Sequence, residues 1–240
     1  MTPQKRNLNV CLSPALLPNY KLENSVVVVI DIFRATSSIC YGIANGAEAI
    51  IPVSTVEQCL VYKDQGYSLA AERDGSVVEG FEFGNSPFSY SEDKVKGKTI
   101  VLTTTNGTKA LQLSIDASEI VIGSFLNLSA VCNWLQEQEK DILLLCAGWK
   151  NHFCTEDTLF AGAVVEKLNG SNFTLDDSAM AAEDLYKVAK SDLGGYLSNS
   201  SHGARMKRLN IEKDIAFCLQ IDIIDALPVL TGDKLVKLKS

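Results

Sequence analysis

Short segments scattered along the chain hold the side chains able to do chemistry. Asp31-Ile-Phe-Arg34-Ala-Thr36-Ser-Ser38 sets a carboxylate three residues from a guanidinium. Glu72-Arg73-Asp74-Gly75 again joins acid and arginine. Thr103 to Thr108 (TTTNGT) gathers hydroxyls around Asn106 and Gly107. Glu156-Asp157 follows Thr155, and Ser-Ser-His202-Gly-Ala-Arg205 contains one of only 2 histidines. Asp31, Glu72, Glu156 and Asp157 are hard oxygen donors. Mg²⁺ takes one or two such carboxylates and fills its shell with water and phosphate oxygens. Arg34 suits a two-pronged phosphate contact. Gly107 permits a tight turn, and the helix start beyond it would present unpaired amides to an anion. Thr104, Thr105 and Thr108 add hydroxyl donors to that cradle. His202 is placed to contact an anion or donate a proton.

Each pattern also has a plainer reading. Asp31 could cap the following helix, and Arg34 could be its ion-pair partner. As a nucleophile, Asp31 lacks the second Asp of aspartyl-phosphate phosphatases, since Phe33 stands two residues on. Acidic residues favour a first helical turn for dipole reasons alone, which covers Glu156 and Asp157. The threonine segment could be an ordinary turn with Thr105 or Asn106 as N-cap. His202 could lie in a surface turn. No GxxxxGK[ST], GxGxxG or GxSxG occurs, so nucleotide fingerprints and the hydrolase elbow are absent.

The elements that must position these residues are legible in the hydrophobic pattern. Residues 26–30 (VVVVI) suit a strand buried on both faces. Further strands are expected at 49–53, 68–71, 99–103, 120–123 and 142–146, and a last short one at 228–230. Helical patterns run through Ile39 and Ile43 to Asn45-Gly46, from a capping box at Ser54–Glu57 towards Gly66, and over 108–113, 128–138 and 155–168. Residues 178–190, 203–209 and 212–219 also read as helical. The segment 72–98, rich in Gly, Ser and charge, reads as a long functional loop. Strands alternating with helices predict a layered α/β/α fold with a largely parallel sheet. In such sheets ligands collect at the carboxyl ends of the strands, where the reactive segments fall.

Composition narrows the class. The 240 residues fit a single α/β domain, with two small lobes sharing a core as the variant. A hydrophobic share of 46% fills a sizeable interior. The net charge is −7, without the clustered Lys/Arg of a nucleic-acid binder. The 7 cysteines include no CxxC pair and read as small core residues in a reducing compartment. No signal-peptide core or membrane span is evident, so the expectation is a cytoplasmic protein without membrane attachment. A symmetric homodimer is the default for any assembly.

The segments IDIFRATSSICYGIANGAEAIIPV, GFEFGNSP, LTTTNGTKAL, CAGWKNHFCTEDTLFAGA and SSHGARM occur in that order. Together they resemble the 2-phosphosulfolactate phosphatase family over roughly residues 26–232. The resemblance implies an α/β fold and a Mg²⁺-dependent phosphatase. Its reaction would release phosphate from 2-phospho-3-sulfolactate, leaving 3-sulfolactate, towards coenzyme M. The chain departs from the expected pattern at Asp74, where a glycine is expected, and at Glu82, where an aspartate is expected.

On that reading Mg²⁺ sits on Asp31 and Glu156, with Asp157 or Glu72 completing the set. Arg34 and the Thr104–Thr108 turn hold phosphate oxygens. Arg73, His202 and Arg205 receive the carboxylate and sulfonate, while Asn85 and Ser86 lend donors from the long loop. The nucleophile is metal-bound water or Asp31 itself. The competing readings are a phosphatase of another small phosphorylated hydroxy acid, a non-catalytic anion-binding module, and a purely structural domain.

Overall fold

β-Branched and apolar runs become the strands of one 11-stranded sheet in a computed structural model that describes residues 5–73, 76–168 and 173–239. The strands are β1 (Arg6–Cys11), β2 (Ser25–Ile30), β3 (Ala49–Pro52), β4 (Ser68–Arg73), β5 (Ser76–Val77), β6 (Thr99–Thr103), β7 (Glu119–Gly123), β8 (Asp141–Cys146), β9 (Phe173–Leu175), β10 (Pro228–Thr231) and β11 (Lys234–Lys237). The helices are α1 (Ala35–Ala44), α2 (Val56–Leu60), α3 (Glu92–Val95), α4 (Gly107–Leu113), α5 (Leu128–Glu137), α6 (Thr155–Leu168), α7 (Asp177–Ala189), α8 (Leu193–Leu197), α9 (Ser201–Arg208) and α10 (Glu212–Cys218).

Two parallel blocks make up most of the sheet. One runs β4-β6-β3 and the other β7-β2-β8-β1-β9. The hairpin β10–β11 joins them, each of its strands pairing antiparallel with a block edge. Three antiparallel pairings in succession reverse the strand direction locally across the hairpin, and the sheet curls there, bringing the carboxyl end of β6 against that of β2 at Gly107, Ala35 and Asp31.

β2 shows why the layers form. Val26, Val28 and Ile30 enter one core with residues of α5, α6 and α7, whereas Val27 and Val29 enter the other with residues of α1 and α4. Successive side chains of a strand point to opposite faces, so an all-apolar strand needs cover on both sides. Burying these aliphatics contributes on the order of 10 kcal/mol relative to exposure. A charged residue at Val28 would break that sandwich. Among the described residues no helix is long and apolar enough to cross a membrane.

The expected strands between residues 26 and 146 all form, as does the last one, which is antiparallel. β1 went unread, although Leu8 and Val10 alternate with Asn7 and Asn9; it lies between β8 and β9. The segment 72–98 is more ordered than a loop. It contains β5, a 3₁₀ turn over Pro87–Tyr90, and α3. Tyr90 is fully buried, donates its hydroxyl to the Gly84 carbonyl at 2.8 Å, and stacks on Phe83. The capping interaction before α2 belongs to Thr55, not Ser54: its hydroxyl accepts from the Gln58 amide at 3.1 Å. Asp74 lies outside the described residues.

Candidate active site

The carboxyl ends of strands from both blocks supply one cavity. Asp31 follows β2 and Gly148 follows β8; Glu72 belongs to β4, and Thr104 to Asn106 follow β6. α6 contributes Glu156 and Asp157, and α9 contributes His202 and Arg205. Asp31, Arg34, Asn106 and Glu156 therefore share a wall despite lying on segments far apart in sequence.

Asp31 is buried, and its backbone amide donates to the Thr36 hydroxyl at 3.0 Å. Burial pushes its carboxyl up to about 7; His202 opposes the rise, and Glu156 and Glu72 add to it. Gly107 owes its place to crowding at this carboxylate. A Cβ there would lie 2.8 Å from the Ala35 Cβ and 3.0 Å from Asp31 Oδ2. Its backbone is not in the left-handed region, so close approach rather than turn geometry requires the glycine.

Asp157 ties the two central strand ends together. Oδ1 accepts from the Ile32 amide and Oδ2 from the Gly148 amide, each at 2.9 Å. Burial and the neighbouring charges of Glu156 and Asp31 push its carboxyl well up, against the pull of those two amides. Glu156 is equally buried but differently served. Oε1 meets His202 Nδ1, whereas Oε2 is buried with no hydrogen-bond partner. An unmet buried polar atom costs roughly 1–3 kcal/mol, and more when charged. A cation beside Oε2 would remove that cost. His202 is steadied by an edge contact with Phe33, ring centres 6.1 Å apart.

Arg34 pairs with Asp214 of α10, not with Asp31. Ser86 donates to the other Asp214 oxygen at 3.0 Å, so its hydroxyl holds the ion pair and it is not on the cavity wall. Asn85 does line the cavity; its Nδ2 donates to Glu72 Oε2 at 3.2 Å, and its buried Oδ1 has no partner. Arg73 lies off the wall, donating to the Glu72 carbonyl at 2.6 Å and to the Thr103 hydroxyl at 3.4 Å. Thr108 is likewise off the wall. Its hydroxyl donates to the Thr104 carbonyl at 2.7 Å, and its amide donates to the Thr104 hydroxyl at 3.1 Å. This staple fixes the turn that presents Thr104, Thr105 and Asn106. Glu82 pairs with Lys98 at 2.7 Å and is not on the wall either.

Sequence reasoning missed Asp214, Trp149 and Lys150. Asp214 carried no signal beyond an acidic residue in a first helical turn. Trp149 and Lys150 sat unassigned within CAGWKNHF. The Lys150 ammonium lies 4.8 Å and the Arg205 guanidinium 4.7 Å from the centre of the Trp149 ring. The Lys150 amide donates to Asn106 Oδ1 at 3.1 Å, which couples the loop after β8 to the threonine turn. Both cations line the cavity, opposite in charge to its carboxylates. The arrangement can hold a divalent cation and a small polyanion together.

A sequence model of 2-phosphosulpholactate phosphatase matches residues 11–233. A Thermotoga petrophila protein described as a probable 2-phosphosulfolactate phosphatase is 43% identical over 217 residues, covering 90% of this chain and 94% of its own. One from Caldanaerobacter subterraneus with the same description is 41% identical over 214 residues, covering 87% and 89%. A Clostridium botulinum protein, also so described, is 36% identical over 237 residues, covering 96% and 99%. The chain belongs to the 2-phosphosulpholactate phosphatase family.

Proposed function

We propose that this protein is a Mg²⁺-dependent phosphoric monoester hydrolase that converts 2-phospho-3-sulfolactate and water into 3-sulfolactate and phosphate, in a route of the coenzyme M type. Family membership supports the reaction class. The observation that carries the metal is Glu156 Oε2, buried and unpartnered in a cavity shared with Asp31. The donor set fits a hard cation: Asp31 and Glu156 would hold it, with Glu72 as a third carboxylate. Asp157 directs each oxygen to a backbone amide and acts as the brace behind them. When bound, Mg²⁺ supplies Lewis-acid stabilisation of charge on the transferring phosphoryl group.

The chain's own residues supply the rest. Arg34, anchored by Asp214, faces the phosphoryl oxygens with the Thr104–Asn106 turn. Arg205 and Lys150 receive the carboxylate and sulfonate, because moving several anions out of water demands opposing charge. His202 has Nδ1 engaged by Glu156, so Nε2 is the atom to deliver a proton to the departing alkoxide oxygen. The nucleophile is a water molecule or the Asp31 carboxylate; rapid quench with labelled phosphate separates them, since only the latter leaves label on the protein.

The deciding experiment is a phosphate-release assay on 2-phospho-3-sulfolactate beside its sulfonate-free analogue, with chelator and then added Mg²⁺. Release that needs Mg²⁺ and favours the sulfonate supports the assignment. Activity untouched by thorough chelation would remove the metal. Equal rates on both substrates would favour another phosphorylated hydroxy acid.

A further inference from the structure

Cys154 stands two residues before Glu156, at the entrance to α6, and is 5% exposed. Its Sγ, a Glu156 carboxylate oxygen and a His202 ring nitrogen all lie within 4.8 Å of one another. Ligand atoms of one type each from sulfur, oxygen and nitrogen are foreign to Mg²⁺, which takes oxygen. They suit a borderline-soft ion such as Zn²⁺ or Co²⁺. Around tetrahedral zinc, with bonds of about 2.0–2.3 Å, such atoms sit roughly 3.3–3.6 Å apart. Side-chain shifts of about 1 Å would close the present spacing to that geometry.

A second observation points independently to a cation. Glu156 is 1% exposed and its Oε2 has no partner, so the buried carboxylate has coordinating capacity left over. Asp31 and Asp157 line the same cavity beside it.

We propose that Cys154, Glu156 and His202 form a binding site for a borderline-soft divalent cation, distinct in ligand chemistry from the hard-cation site yet sharing Glu156 with it. On binding, the Cys154 thiol passes its proton to solvent and the Sγ–metal bond forms; no redox change occurs. Glu156 cannot serve both ions fully, and the soft ion takes up a ring nitrogen of His202, the residue assigned the proton transfer. Occupancy by the soft ion therefore opposes Mg²⁺-supported turnover. The binding claim stands without the proposed reaction; only the inhibition rests on it.

Cobalt tests the binding on the full chain after chelator treatment. Titration with Co²⁺ should raise a thiolate-to-cobalt charge-transfer band saturating at one ion per chain, and Zn²⁺ should erase it. Cys154→Ser should lose the band. No band in the unaltered protein, or an unchanged band in the variant, overturns the proposal. With saturating Mg²⁺ and the sulfonated substrate, Zn²⁺ should inhibit the unaltered enzyme. Cys154→Ser should keep its Mg²⁺-supported rate and need at least tenfold more zinc for half inhibition; identical zinc sensitivity overturns the competition. Absence of any phosphatase activity would defeat the proposed function while the cobalt spectrum still decides the site. Should the serine variant fail to fold, Cys154→Ala carries the same spectral measurement, read the same way.

Discussion

Replacing Asp31 by asparagine in the metal-free protein separates the cost of the site from its use. The carboxyl ordinarily titrates at 3.8 and is pushed up to about 7 here, by burial first; the carboxylates of Glu156 and Glu72 outweigh part of the opposing effect of His202. Each unit of displacement corresponds to about 1.4 kcal/mol. At about pH 8 the ionised side chain therefore costs the fold on the order of 4 kcal/mol relative to the unfolded chain. Between those two values the native state binds more protons than the unfolded state, so stability falls and this cost grows as pH rises, and the cost vanishes below the lower value. Asparagine keeps the shape and an oxygen for the Ala35 amide but carries no charge. Urea denaturation in the presence of chelator, at about pH 4 and about pH 8, is the assay. The variant should gain stability at the higher pH, with about 4 kcal/mol as an upper limit, and almost none at the lower. Its phosphatase activity should be abolished. A variant that is less stable at the higher pH, or equally stabilised at both, refutes the reasoning.

Asp214→Asn should leave Arg34 buried beside a neutral partner; breaking such a pair costs roughly 3–5 kcal/mol, to be read by denaturation alongside a fall in phosphate release. Gly107→Ala should push its Cβ into Ala35 and Asp31, lower kcat by about tenfold or more, equivalent to about 1.4 kcal/mol of barrier, and lower the melting temperature, since such overpacking costs about 1–3 kcal/mol. Thr108→Val should remove the staple to Thr104 and destabilise by roughly 1–3 kcal/mol, because the buried turn groups lose their partner. Lys150→Gln and Arg205→Gln should raise KM for the sulfonated substrate more than for its sulfonate-free analogue; equal changes on both would take these cations out of substrate recognition.

Much of the architecture was legible because a doubly buried strand leaves a plain mark. The run 26–30 is apolar throughout, and the polar residues immediately after it advertise a functional strand end. The same logic located β6 and β8, and with them the turns at Thr104 and Gly148. It missed β1, whose alternating Asn and Leu/Val residues are a weaker mark, and it misjudged residues 72–98, where Tyr90 and Phe83 anchor a segment that composition alone makes look loose.

The site divides along a similar line. Residue type and position within an element sufficed to nominate Asp31, Glu72, Glu156, Asp157 and His202, since carboxylates and imidazole declare their chemistry wherever they stand. Which atoms are occupied was decided in three dimensions. Asp157 spends both oxygens on strand-end amides, Glu156 keeps one free, and Arg34 turns to Asp214, 180 residues away in the chain. Local sequence encodes propensity and periodicity over a few residues. Pairing between distant side chains depends on how the sheet, curling at its hairpin, sets two parallel blocks, and that is a property of the packed whole.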